Sequence, residues 1–255
     1  MPLISAVIIT WNEEKFIGQC LESLKGIADE IIILDSFSDD STEQICRKYN
    51  ARFEKHAFEG YIEQKNFAAG LASNNWILSL DADEALSDEL KKSISAIRDN
   101  PGMDGYFVNR RNNYCGRWLR FSGWYPDRHL RFFNSQKGSW AGLNPHDKFI
   151  LEKGCRTGKL KGDLLHLFYS SAEEHLEKMD RFSSIAASSY NKAGMTAGKL
   201  TPLIHGTWSF IRSYFLRGGF LDGREGFDMC RISARGSYLK YRKLRQLQTD
   251  NKGIK

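Results

Sequence analysis

Three short apolar runs, at residues 3–9, 30–34 and 76–80, and a short strand at residues 52–55 alternate with segments whose apolar residues recur at three- and four-residue spacing. Strands separated by helices pair in parallel, each helix crossing back over one face, so this alternation commits the first hundred residues to an α/β sheet covered on both sides. Phe16, Ile17, Cys20, Leu21 and Leu24 form the first helical stripe, which ends near Gly26. The polar stretch 35–42 offers Ser and Asp residues to cap a second helix reaching Tyr49. Residues 63–72 read as a third helix, and Ser87 caps a fourth over residues 88–99.

With 255 residues, 41% hydrophobic and 27% charged, the chain has the profile of a globular protein that can bury a sizeable core. No apolar stretch approaches the roughly 20 residues of a membrane span; the longest candidate, residues 203–216, is interrupted by His205 and Arg212. Residues 1–9 lack a basic leader and a cleavage site and read as a first strand, which places the protein in the cytoplasm. Cysteines 20, 46, 115, 155 and 230 are odd in number and show no C-x-x-C spacing, so free thiols are expected rather than a disulfide framework or a zinc site.

Polar residues collect where the strands end. Thr10-Trp11-Asn12-Glu13-Glu14 follows the first strand, Asp35 the second, and Asp81-Ala82-Asp83 the fourth. Open α/β sheets bind ligands outside these carboxyl ends. Two carboxylates one residue apart repel each other unless a divalent cation lies beside them, and oxygen ligands favour Mg²⁺ or Mn²⁺ over zinc. An Asp-x-Asp alone equally suits a solvated strand-to-loop turn. There is no G-x-G-x-x-G after the first strand and no G-x-x-x-x-G-K-[ST] anywhere, so a diphosphate at this edge depends on the metal and on cations. Lys65, on the helix before the fourth strand, is either such a cation or a surface lysine.

In order along the chain, Ile8-Ile9-Thr10-Trp11-Asn12-Glu13, residues 33–42, Gln64-Lys65-Asn66 and Leu80-Asp81-Ala82-Asp83 make the sequence resemble the family 2 glycosyltransferases. The resemblance implies a GT-A fold: a Rossmann-like, mostly parallel sheet flanked by helices, here with a C-terminal helical extension. It implies that Thr10 and Asp35, with Asn12 and Glu13 beside them, serve the nucleoside of a nucleotide-sugar donor, and that Lys65 and Asn66 lie near the base or diphosphate. Asp81 and Asp83 would hold the nucleotide sugar and its metal, Asp83 by direct ligation. His166 would complete the metal sphere, the alternative being a hydrogen-bonded core histidine. Later segments, among them Asn144-Pro145-His146-Asp147 and Gly219-Phe220-Leu221-Asp222-Gly223, look like bacterial lipopolysaccharide-core β-1,4-glucosyltransferases. That likeness implies UDP-glucose as donor and a saccharide or glycolipid acceptor.

On this reading residues 1–170 form the catalytic domain, 1–100 as the nucleotide-sugar half and 101–170 as the acceptor half; residues 171–255 form the helical extension. The acceptor half has aromatic and basic runs such as 106–111 and 128–133, suited to an anionic sugar or to one solvated strand face. Inverting transfer needs a base for the acceptor hydroxyl. The counterpart of the family's acidic residue is Asp147, with His146 as the competing base; a structural turn after Pro145 is the third possibility.

The extension opens with a capping box, Ser171-Ala172-Glu173-Glu174, ahead of an apolar stripe of Leu176, Met179, Phe182 and Ala186. Between Arg212 and Arg245, nine Lys or Arg stand against three acidic residues in a chain of net charge +6. Basic helices with aromatic faces suit an anionic membrane surface, so peripheral attachment at the inner membrane is one expectation and ordinary helical packing with a solvated tail from Gln246 the other. A nucleic-acid partner is not expected, because no RRM, KH, helix-turn-helix or zinc-finger signature accompanies the basic charge.

Overall fold

Strand β1 (Ile4–Thr10) is apolar on both of its faces and buried along nearly its whole length, as a central parallel strand must be. The computed structural model describes residues 2–144 and 146–253. After β1 come α1 (Ile17–Ser23), β2 (Glu30–Asp35), α2 (Thr42–Lys48), β3 (Arg52–Lys55), α3 (Tyr61–Gly70), β4 (Trp76–Asp81), β5 (Glu84–Leu86) and α4 (Asp88–Ile97). The next strands are β6 (Gly105–Tyr114), β7 (Arg117–Trp118), β8 (Asp127–Asn134), β9 (Gly138–Leu143), β10 (His146–Leu151) and β11 (Thr157–Tyr169). Helices α5 (Ala172–Lys192), α6 (Thr201–Phe210) and α7 (Gly223–Gly253) complete the chain, with a π-helical turn (Ile211–Leu216) and a 3₁₀ turn (Gly219–Asp222) between the last two.

The main sheet runs β3-β2-β1-β4-β8-β6-β11-β5, with β7 paired to β6, while β9 and β10 form a separate two-stranded sheet. Its first four strands are parallel, as the helical crossovers require. From β4 onward the pairing turns antiparallel, β8 against β4 and β6 against β8. One core cluster packs Ile8, Leu21, Ile33, Leu78 and Leu80 with Leu90 and Phe132; the other packs Ile32, Leu34, Ile77, Phe133, Trp140 and Phe149. Ser87 caps α4 by accepting from Leu90 N at 3.3 Å. The same hydroxyl accepts from Asp163 N at 3.0 Å, tying α4 to β11. Gly162 makes that approach possible: its φ is +85°, and a Cβ there would sit 2.3 Å from Leu90 N.

Two compact units divide the chain: Met1–Arg111 with Asp127–Gly142 and Asp147–Leu167, and Asn112–Pro126 with Leu143–His146 and Phe168–Lys255. The helical unit thus draws on two segments that precede residue 171. Within it α7 packs against both α5 and α6. Ser171 caps α5 through Glu174 N at 3.2 Å, while Glu174 Oε2 reaches back to Ser170 N at 2.8 Å, one residue earlier than a strict capping box. The buried face of α5 carries His175, Ser183, Ala186 and Ala187; of the expected stripe only Ala186 is fully buried. Helix α7 continues through Gly253 where a tail from Gln246 was one expectation; residues 254 and 255 lie outside the described residues. All five cysteines are free, and no described helix is long and apolar enough to cross a membrane.

Candidate active site

The register of β1 against β2 sets Thr10 beside Asp35 at the carboxyl ends of the two strands, and Ile9 pairs with Asp81 of β4. All lie in the first unit. Thr10 Oγ1 is buried and has no hydrogen-bond partner among the described residues, which leaves one polar atom ready for a ligand. Asp35 is fully buried, and its carboxylate accepts from Ser38 N at 2.8 Å and from the Ser38 hydroxyl. It therefore shapes the loop after β2. Asn12 clasps the same loop, its amide donating to Asp39 Oδ1 at 2.7 Å and accepting from Asp39 N at 3.0 Å, and Glu13 N donates to Thr42 Oγ1 at 2.9 Å. Trp11 and Phe37 stand exposed on the two loops. Phe37 has φ +61°, a left-handed conformation that costs a non-glycine residue about 1–2 kcal/mol.

Consecutive residues on α3 point about 100° apart, and Gln64, Lys65 and Asn66 use those directions for three jobs. Gln64, fully buried, donates to Ser36 Oγ at 3.0 Å and to His56 O at 3.1 Å, which fixes the helix against the ends of β2 and β3. Lys65 carries its ammonium 2.8 Å from Asp147 Oδ2 and 3.1 Å from Asp81 Oδ1, over the Trp140 ring at 4.6 Å from the centroid. It is a buried bridge, with a side chain 7% exposed, and not a surface lysine. Asn66 binds the main chain of Trp140 in both directions, at 2.9 Å each.

Asp81 is the junction of the cluster. Arg131 Nη2 lies 2.7 Å from its Oδ2 and 3.1 Å from Glu84 Oε1, while Glu84 Oε2 accepts from Asp81 N at 2.9 Å. Arg110 Nη1 adds a contact to Glu84 Oε1 at 3.6 Å and its Nη2 pairs with Asp127 at 2.8 Å. Burial alone would raise the Asp81 carboxyl, but Arg131 and Lys65 overcome it and hold Asp81 well below the ordinary carboxylate range. Burial works against the charge of Arg131 too, and Asp81 and Glu84 reverse the sign, so its guanidinium is held more firmly protonated than usual. Burial is likewise the largest influence on His129, whose imidazole is pushed down although Asp127 Oδ1 stands 2.9 Å away.

Asp83 takes a different partner, with Oδ2 3.3 Å from His166 Nε2 on β11. His166 is 4% exposed and lies opposite Glu84 in the β5–β11 register. Among the described residues no three His, Cys, Asp or Glu side chains converge on one metal position. Asp83 and His166 nevertheless fit a hard divalent ion, which takes few protein ligands when substrate phosphates complete its shell. The surroundings fit as well: carboxylates 81, 83, 84, 127 and 147 outnumber cations Lys65, Arg110 and Arg131. Oδ1 of Asp81 meets Lys65 and Oδ2 meets Arg131, so a metal at Asp81 would share oxygens already held by two cations.

Of the pair His146-Asp147, strand alternation on β10 turns only Asp147 into the cluster: its side chain is 10% exposed while His146 is exposed. Pro145 lies outside the described residues. Sequence reasoning missed Glu84 and Arg131. Glu84 directly follows the Asp-x-Asp and is fully buried, a place it can hold only with partners. Arg131, read as part of an anion-gripping or solvated basic run, is buried and committed to Asp81 and Glu84; only the register of β8 distinguishes it from the exposed Arg128.

The profile of "Glycosyl transferase family 2" matches residues 5–156, which takes in every residue of this cluster except His166. The chain belongs to glycosyl transferase family 2. Among its relatives, an uncharacterised glycosyltransferase of Rickettsia typhi is 30% identical over all of this chain and 90% of its own length. The lipopolysaccharide core biosynthesis glycosyltransferase LpsC of Rhizobium meliloti is 30% identical over 96% of this chain and 93% of its own. Among solved structures, S. aureus TarS superposes with a TM-score of 0.51 at 15% identity, covering 93% of this chain and 55% of TarS, a likeness of fold. The protein is thus a glycosyltransferase with a GT-A fold, as the four motifs implied, and its charged cluster occupies the strand ends where the family 2 resemblance puts the donor.

Proposed function

We propose that this glycosyltransferase moves one sugar, with inversion, from a UDP-sugar, UDP-glucose being the first candidate, to a lipid-linked or lipopolysaccharide-core saccharide. The observation that carries the reading is Lys65, whose ammonium bridges Asp81 at the donor edge and Asp147 on β10. An arriving diphosphate competes for the same ammonium. As Lys65 turns to the diphosphate, Asp147 loses its counter-charge and becomes a carboxylate able to accept a proton. The acceptor hydroxyl gives that proton to Asp147 while its oxygen bonds to the anomeric carbon. The bond from that carbon to the diphosphate breaks on the opposite face, and UDP departs with the electron pair. Thr10 Oγ1 and the exposed rings of Trp11 and Phe37 are placed to receive the nucleoside. Mg²⁺ or Mn²⁺, held by Asp83 and His166, would supply positive charge to the diphosphate. The named role of LpsC in lipopolysaccharide core synthesis supports the acceptor class, and such an acceptor places the enzyme at the periphery of a membrane.

Thermal shift against a panel of sugar nucleotides with and without Mn²⁺ tests the donor, and release of UDP in the presence of acceptor tests transfer. Asp147→Asn should keep the nucleotide-induced stabilisation and lose UDP release. Undiminished turnover in that variant would remove Asp147 as the base; no stabilisation by any sugar nucleotide would overturn the donor assignment.

A further inference from the structure

Helix α6 is built the wrong way round for a helix facing water. Its buried positions are Pro202 and Gly206, and a Cβ on Gly206 would come 3.0 Å from Tyr238 Cβ and 3.4 Å from Ala234 O of α7. The small residues therefore make the tight helix–helix contact. The large ones face out: Leu200, Leu203, Ile204 and Trp208, followed by Phe215 and Leu216 in the π-helical turn, are each more than half exposed. Ordinary globular packing turns an apolar stripe inward, and an exposed patch this continuous marks a surface that is covered by something else.

The charges around the patch say what covers it. From residue 193 to residue 224 the cations are Lys199, Arg212, Arg217 and Arg224, all exposed. The single acid in that stretch, Asp222, is 2% exposed and spends its carboxylate on the backbone N–H groups of Arg120 and Phe121, at 3.2 and 2.9 Å. Just beyond it Glu225 pairs with Arg117, and Asp228 with Arg224 and Arg231, which leaves Lys199, Arg212 and Arg217 as the cations that count. A second copy of the chain meeting this face about a twofold axis would set these cations against their own kind. A surface of anionic lipid headgroups over acyl chains complements both features. Since no described helix can cross a membrane, the element would lie in the plane of the interface.

We infer that α6 and the π-helical turn form a docking surface for an anionic lipid bilayer, with Trp208 and Phe215 entering the acyl boundary and Arg212 and Arg217 at the headgroups. The proposed lipid-linked acceptor gives this surface its purpose, and the inference rests on that reading in this respect alone.

Flotation of the full chain with vesicles of phosphatidylcholine, with and without phosphatidylglycerol, at low and high salt, tests it. The expected result is binding to the phosphatidylglycerol vesicles that weakens as salt rises. Trp208→Ser with Phe215→Ser should lower that binding by roughly a hundredfold or more, and Arg212→Glu with Arg217→Glu should abolish its dependence on phosphatidylglycerol. Both variants should melt like the wild type and keep any stabilisation by sugar nucleotides. Absence of binding to phosphatidylglycerol vesicles, or binding indifferent to both variants, would overturn the proposal. So would a wild type that fails to float and forms a concentration-dependent dimer broken by the Trp208 and Phe215 changes. A wild type that floats yet gains no stability from any sugar nucleotide would support the docking surface and sink the donor assignment alone.

Discussion

At the carboxyl ends of β1, β2 and β4 the protein buries charge, whereas along α6 it exposes large apolar side chains. In the first region Lys65, Glu84 and Arg131 are almost wholly removed from solvent, and each has an ionic partner within 3.1 Å. Charges in such a place persist only by mutual compensation, so a charged ligand entering there must exchange with them. In the second region Leu203, Trp208 and Phe215 stay more than half exposed, although the Phe215 ring meets Phe210 and Tyr214 edge-on. One region holds a self-satisfied network that a ligand must rearrange; the other holds an unsatisfied surface that a partner must cover.

The largest effect should come from breaking the network from inside. Glu84→Ala removes the carboxylate that holds Arg131 and Asp81 N, leaves a buried guanidinium short of charge, and should cost about 3–5 kcal/mol of stability in denaturant titration. A cost below 1 kcal/mol would mean that the cluster is solvated in solution. Next in size, and sharpening the contrast, is the acid response of the helical unit, which buries a titratable group uncharged. His175 is fully buried, 3.2 Å from Tyr114 Oη and stacked on Tyr169 at 4.1 Å. Burial, with help from Lys178, pushes its imidazole down to about 3. Because the folded value lies below the unfolded one, the unfolded chain binds the extra proton. Stability from this group is therefore full above about pH 6.5 and falls by about 1.4 kcal/mol per pH unit below it, until the folded value is reached. His175→Phe should flatten that slope between pH 6.5 and 5 in thermal melts; an unchanged slope would place the acid sensitivity elsewhere.

Lys65→Met should weaken sugar-nucleotide affinity about tenfold by calorimetry, the worth of one charge-assisted hydrogen bond. An affinity equal to that of the wild type would place the diphosphate away from this ammonium. The smallest effect belongs to the exposed region: Trp208→Ser should change folding stability by less than about 0.5 kcal/mol, and a larger loss would show that the indole is packed in solution.

Much of the geometry of the candidate site was legible in the sequence because it depends on local order. Strand ends put Thr10, Asp35 and Asp81 at one edge of the sheet, and Ser87 and Ser171 cap their helices through contacts three residues away. The two residues that were missed depend on distant pairing. Glu84 and Arg131 meet 47 positions apart, and a basic run reads alike whether its arginines face solvent or a buried carboxylate. The division of labour between Asp81 and Asp83 was likewise hidden: one is held by cations and the other by His166, which reaches it from β11, the strand paired with β5.

The periodicity of α6 shows the same boundary from the other side. The sequence by itself determined the parallel half of the sheet, the helix caps, the family and the strand ends that carry the charged cluster, because each is set by period, turn chemistry or motif order along a few neighbouring residues. Tertiary structure alone decided which face of α6 turns inward, which arginine of β8 is buried and which carboxylate Lys65 holds. Those outcomes depend on close packing and charge compensation between residues far apart in the chain, and a one-dimensional pattern does not encode which of two faces finds a partner.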